Sequence, residues 1–182
     1  MSEVKKYTDS DIDHAMFCFL YDGKMLEQLS AQIALSGEMV DTINQHTRIL
    51  DDNDSKDSKD KNSLKDKLSK DDVDASVQVL VKMIPKGREI SESLQNIVDS
   101  IEYRESGSVK SMYNRLCVNA DIIKQNSAYC ELGDAELKAI GAQVESFKYL
   151  TNVIECTIIS LRGALAKACY IIYTSNQKSK KK

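Results

Sequence analysis

The residues able to do chemistry are few and scattered. The chain has two histidines, His14 and His46, and five cysteines, Cys18, Cys117, Cys130, Cys156 and Cys169. A metal site would need these types at ligand spacing, and no C-x-x-C pair or H-E-x-x-H helix occurs. A phosphate cradle would need a glycine-rich loop, and neither G-x-x-x-x-G-K-[ST] nor G-x-G-x-x-G is present. The G-x-S-x-G turn of serine hydrolases is also missing. A nucleophilic thiolate needs a cation, a helix N-terminus or a base to lower its pKa. The sequence indicates none beside Cys18, Cys156 or Cys169, so all three read as packing residues. The two histidines read as surface residues.

Carboxylate pairs such as Asp71 and Asp72 lie in charged sequence, which offers no cleft to separate their pKa values. Phe17, Phe19 and Tyr21 read as core-filling aromatics. The expectation is therefore no enzyme, no catalytic residues, no cofactor and no metal.

What remains is the set of elements. A single proline, Pro85, and seven glycines in 182 residues leave long helices uninterrupted. At 42% hydrophobic and 29% charged the composition is that of a folded protein. The net charge of −3 gives no general attraction to nucleic acid. The basic tail Lys178–Lys182 reads as a solvated end.

From residue 9 to residue 50 the series Ile12, Ala15, Phe19, Asp22, Leu26, Leu29, Ile33, Ser36, Val40, Ile43, Thr47, Leu50 steps by three and four. This is the heptad pattern that keeps one apolar seam facing a partner helix. Asp22-Gly23 is expected to loosen it. Residues 51–72 are charged and nearly without apolar residues, and read as a flexible loop with nothing to offset its ordering entropy.

A helical insert over residues 73–130 follows. Val73, Val77, Leu80 and Ile84 form one stripe, expected to stop at Pro85-Lys86-Gly87. Ile90, Leu94, Ile97 and Ile101 form a second, and Val109, Met112, Leu116 and Ile123 a third. From Gly133-Asp134 a last helix carries Leu137, Ile140, Val144, Phe147, Thr151, Ile154, Ile158, Leu161, Leu165, Ala168 and Ile172 without a slip, over residues 134–174. About forty residues would span roughly 60 Å as one helix.

These features predict an all-α fold in one helical domain. Its long N- and C-terminal helices pair as a coiled-coil hairpin, with a shorter helical insert and a disordered charged loop. The predicted assembly seam is Leu26, Leu29, Ile33, Val40, Ile43 and Leu50 on the first arm. On the last arm it is Leu137, Ile140, Val144, Phe147, Ile154, Ile158, Leu161, Leu165 and Ile172. Glu155, Arg162 and Lys167 argue against a membrane span in the apolar stretch they punctuate, and no cleavable signal peptide is expected.

The layout resembles the type III secretion needle-tip and translocon-filament proteins, the EspA/SseB-like group. The run Leu132-Gly133-Asp134-Ala135-Glu136-Leu137-Lys138-Ala139-Ile140, continued by Ala142 and Val144, is similar to that group's entry into its C-terminal helix. The resemblance implies a subunit held by a chaperone over its C-terminal helix, exported without a cleaved signal, and then polymerised or placed at a needle tip. Its partners would be other protein helices, either copies of itself or a secretion chaperone. The alternative is a cytoplasmic helical adaptor, effector or chaperone, a setting that suits reduced cysteines.

Overall fold

The computed structural model describes residues 7–55, 69–104 and 108–179. The fold is all-α, with five helices among the described residues: α1 (Asp9–Ser55), α2 (Lys70–Arg104), α3 (Val109–Gln125), α4 (Asp134–Phe147) and α5 (Leu150–Ser179). No strand occurs among the described residues.

Local chemistry sets the helix starts. At α1, Thr8 Oγ1 accepts the Asp11 amide at 3.2 Å while the Asp11 carboxylate accepts the Thr8 amide at 2.9 Å. Ser69 and Asp72 repeat this reciprocal cap at α2. Ser108 caps α3 by accepting from the Ser111 amide, and the Gly133 amide donates to Glu136 before α4. Each arrangement satisfies amide protons that have no partner inside the helix. The turn between α3 and α4 places Glu131 at φ 53°, a left-handed conformation that bulky residues rarely adopt.

Four expectations are corrected. First, α1 runs through Asp22-Gly23 without a break, because Asp22 is buried against Arg115 rather than turned to solvent. Second, Pro85 does not stop a helix; α2 continues across it. Pro85 and Val81, whose carbonyl loses its usual donor, are both exposed, so water can serve that carbonyl. Leu80 and Ile90, on either side, pack into one cluster and favour continuation.

Third, residues 51–55 and 70–72, assigned by the sequence to a loop, are helical. The rest of that charged segment, 56–68, lies outside the described residues. Fourth, the last arm is interrupted at Lys148–Tyr149. There the amides of Lys148 and Asn152 bond three residues back rather than four. Ser146 and Thr151 hydroxyls also donate to carbonyls three residues back. Such local bonds compete with the regular ladder.

The chain forms two compact units. The first combines residues 7–31 with residues of 95–154, taking in α3 and α4 whole. Its core includes Phe19, Leu26, Leu29, Met112, Leu116 and Leu150, and α3 packs on α4. The second combines residues of 32–94 with residues of 155–179. Its core joins Met39, Ile43 and Leu50 of α1, Leu80 and Ile90 of α2, and Leu161, Leu165, Ala168 and Ile171 of α5.

Candidate functional site

The fifteen seam residues lie inward within their units. Leu26, Leu29, Ile43, Leu50, Phe147, Ile154, Leu161 and Leu165 are buried. Ile33, Val40, Leu137, Ile140, Val144, Ile158 and Ile172 are half-buried. The polar interruptions in the heptad series are buried as well, each with a partner. Ser36 Oγ donates to the Gln32 carbonyl at 2.7 Å and Thr47 Oγ1 to the Asn44 carbonyl at 3.1 Å. Asp22 accepts from Arg115 at 3.2 Å. The stripe is therefore covered by the chain's own helices, and a surface for association must be sought elsewhere.

α5 supplies one. Cys156, Ile159, Gly163, Ala166, Tyr170 and Tyr173 step by three and four along this helix and are all exposed. Ile159 is 70%, Tyr170 68% and Tyr173 63% exposed. At about 100° per residue, this series lies about 200° round the helix from the one holding Leu161 and Leu165. Exposed Glu155, five full turns before Tyr173, stands at one edge of it. A helix that is apolar on both faces is normally covered on both, and the described residues cover only one. The sequence reading missed this second heptad, offset by two positions from the first, because the first accounted for the amphipathic pattern. The stretch Asp134–Ser175 is also long and apolar enough to cross a membrane by length and composition, although Glu155, Arg162 and Lys167 punctuate it.

The thiol sites also differ from expectation. Cys18 Sγ lies 3.4 Å from His14 Nε2, one helical turn earlier. The two line an open cavity of about 300 Å³ with Asn114, Arg115, Val118 and Asn119. The i, i+4 spacing was visible in the sequence as a signal for this contact. In the second unit Arg88 Nη2 is 4.0 Å from Cys169 Sγ. Both line an open cavity of about 400 Å³ with Ser91, Glu92 and Arg162. Burial, then the Asp13 charge, push the Cys130 thiol up and away from reactivity. All five cysteines are free. No group able to hold a metal ion occurs among the described residues.

Other expected surface and core positions are redistributed. His14 is exposed, whereas His46 is half-buried with its Nδ1 3.3 Å from Ser76 Oγ. Phe19 fills the core as expected, but Phe17 is 68% exposed and Tyr21 38%. Phe17 and Tyr21 lie two residues to either side of Phe19, which turns them away from the face it buries. The Tyr113 phenol is pushed up to about 12, first by burial and then by its hydrogen bond with Cys117.

No family model matches the chain, and neither a curated protein nor a solved structure matches it.

Proposed function

We propose that this chain is a non-enzymatic helical assembly protein that associates through the outward face of α5. The observation that carries the reading is the exposure of Ile159, Tyr170 and Tyr173 on one face of α5. Apolar surface of this kind is stabilised when another helix removes it from water, at roughly 25 cal/mol per Å² buried. In the setting implied by the resemblance at Leu132–Val144, the chain is a secreted filament or needle-tip subunit. Its partners there are further subunits or a secretion chaperone.

A second reading is a cytoplasmic adaptor that uses the same face. The five free cysteines, with Cys156 exposed, favour a reducing compartment. Fractionation of the producing cell separates the two: release through a secretion apparatus supports the first, retention the second.

The assembly reading is tested by light scattering over a concentration series. The wild-type chain is expected to associate. An Ile159→Asp/Tyr170→Asp variant is expected to stay monomeric with unchanged helicity by circular dichroism. A wild-type chain that remains monomeric at the highest concentration, alone and with candidate chaperones, removes the reading.

A further inference from the structure

We propose that the groove between α2 and α5 in the second unit is a thiol-modification site. There Cys169 forms a mixed disulfide with an anionic small-molecule disulfide of the glutathione type.

Two helical stripes make the groove. Arg88, Ser91 and Glu92 share one face of α2, and Arg162, Ala166 and Cys169 step by four and three along α5. Together they line the open cavity of about 400 Å³, a size that suits a small molecule. The buried Leu165 gives it an apolar base. Its side chain is also the one that Gly87 faces, so α2 and α5 approach closely here.

The polar groups fit one kind of ligand. Arg88 Nη2 stands 4.0 Å from Cys169 Sγ, and Arg88 forms no ion pair among the described residues. Its guanidinium therefore has donors for a carboxylate brought up beside the thiol. Arg162 has a contact of its own and adds a second positive charge to the groove. Ser91 is only 7% exposed and lines the cavity, yet its hydroxyl makes no hydrogen bond among the described residues. A buried hydroxyl normally has a partner, and a carboxylate or amide oxygen of a bound peptide-like molecule supplies one. Exposed Glu92 lines the same groove and would repel a simple dianion. Glutathione disulfide answers both signs, because its carboxylates suit the arginines and its ammonium groups suit Glu92.

In the reaction Cys169 gives up its proton and its sulfur attacks one sulfur of the glutathione disulfide. A bond from Sγ to that sulfur forms, and the disulfide's own S–S bond breaks. The departing sulfur takes the electron pair and then the proton. Cys169 is oxidised, and one glutathione leaves in reduced form.

The test treats the reduced full chain with glutathione disulfide, dicationic cystamine or neutral hydroxyethyl disulfide. Peptide mass spectrometry reads the modification rate at Cys169. The glutathione-to-cystamine rate ratio is expected to be roughly tenfold higher in the folded chain than at the same residue in urea. High salt should bring the folded ratio down toward the unfolded one. Arg88→Gln should slow the glutathione reaction at least about fivefold more than the hydroxyethyl disulfide reaction, and Arg88→Lys should recover part of the loss. Ser91→Ala should slow the glutathione reaction about twofold. Helicity by circular dichroism should not change in Arg88→Gln, because Arg88 is exposed. Equal ratios in the folded and unfolded chains overturn the inference. So does an Arg88→Gln variant that slows all three reagents alike. A folded ratio that ignores salt overturns it in the wild-type chain alone, whatever the variants do.

Discussion

In the first unit, α1 is tied to later elements by side-chain hydrogen bonds across 93 to 119 residues of sequence. Arg115 donates to Asp22, Tyr129 to Asp13 and Gln143 to Glu27, and Ser30 meets Tyr149. In the second unit the same helix joins a cluster of Met39, Ile43, Leu50, Leu80, Leu161 and Leu165. Its polar ties are His46 with Ser76 and the half-exposed pair Lys167–Asp51. A buried apolar cluster supplies stability in proportion to area and tolerates small slips. Polar pairs add little net energy but require particular groups to meet. One continuous helix thus obtains its register mainly in the first unit and much of its adhesion in the second.

The largest test of this contrast is Leu161→Asp, which places a carboxylate at a fully buried position of the apolar cluster. We expect a loss of about 3–5 kcal/mol or outright unfolding in urea. Ile159→Asp, two residues away on the exposed face, should shift monomer stability by less than about 0.5 kcal/mol. Equal losses at the two positions would erase the distinction between the faces of α5.

Next in size is the polar tie of the first unit. Arg115→Ala removes the guanidinium from Asp22, which is 2% exposed, and should cost about 2–3 kcal/mol. Asp22→Asn should cost about 1 kcal/mol, because the Arg115 side chain is 35% exposed and can turn to water. Denaturant midpoints in the reverse order would show that the pair does not hold α1 in place.

Two glycines give a smaller contrast within the second unit. A Cβ at Gly87 would stand 2.6 Å from Leu165 Cδ2, so the buried Leu165 side chain would have to shift. Gly87→Ala should therefore lose about 1 kcal/mol despite the helix-forming gain. Gly163→Ala, in open space, should raise the melting temperature of the dilute chain through a gain of about 0.5–1 kcal/mol.

The smallest effect is a titration in the first unit. One of the eight tyrosines should ionise near pH 12 by phenolate absorbance, and Tyr113→Phe should remove it. Because the fold raises this pKa from 10.0, its contribution to stability is complete below pH 10. It falls away as the pH climbs toward 12.

Much of the helical framework was readable from residue types. The cap at Ser69 falls in a stretch whose charge content read as a loop, although a cap is decided by groups within one turn. The inward positions of α1, including Ser36 and Thr47, followed from heptad spacing, since a side chain's face is set by helical geometry. Pro85 misled because its local penalty was outweighed by apolar contacts with distant helices, which its neighbours do not reveal. Phe17 misled because aromatic type does not say which face is covered. The inward seam and the outward stripe of α5 are both heptads, and periodicity alone cannot rank them.

The sequence by itself determined that the chain is helical and where most helices begin, because hydrogen bonding along a helix is local. It also determined which residues share a face, because 3.6 residues per turn is a property of the backbone. Only the tertiary structure decided that the predicted seam is covered by the chain's own helices, that Asp22 meets Arg115, and that Cys18 lies with Arg115 beside one cavity. Those outcomes depend on which distant segments approach, and that approach is settled by the sum of many weak contacts rather than by any one motif.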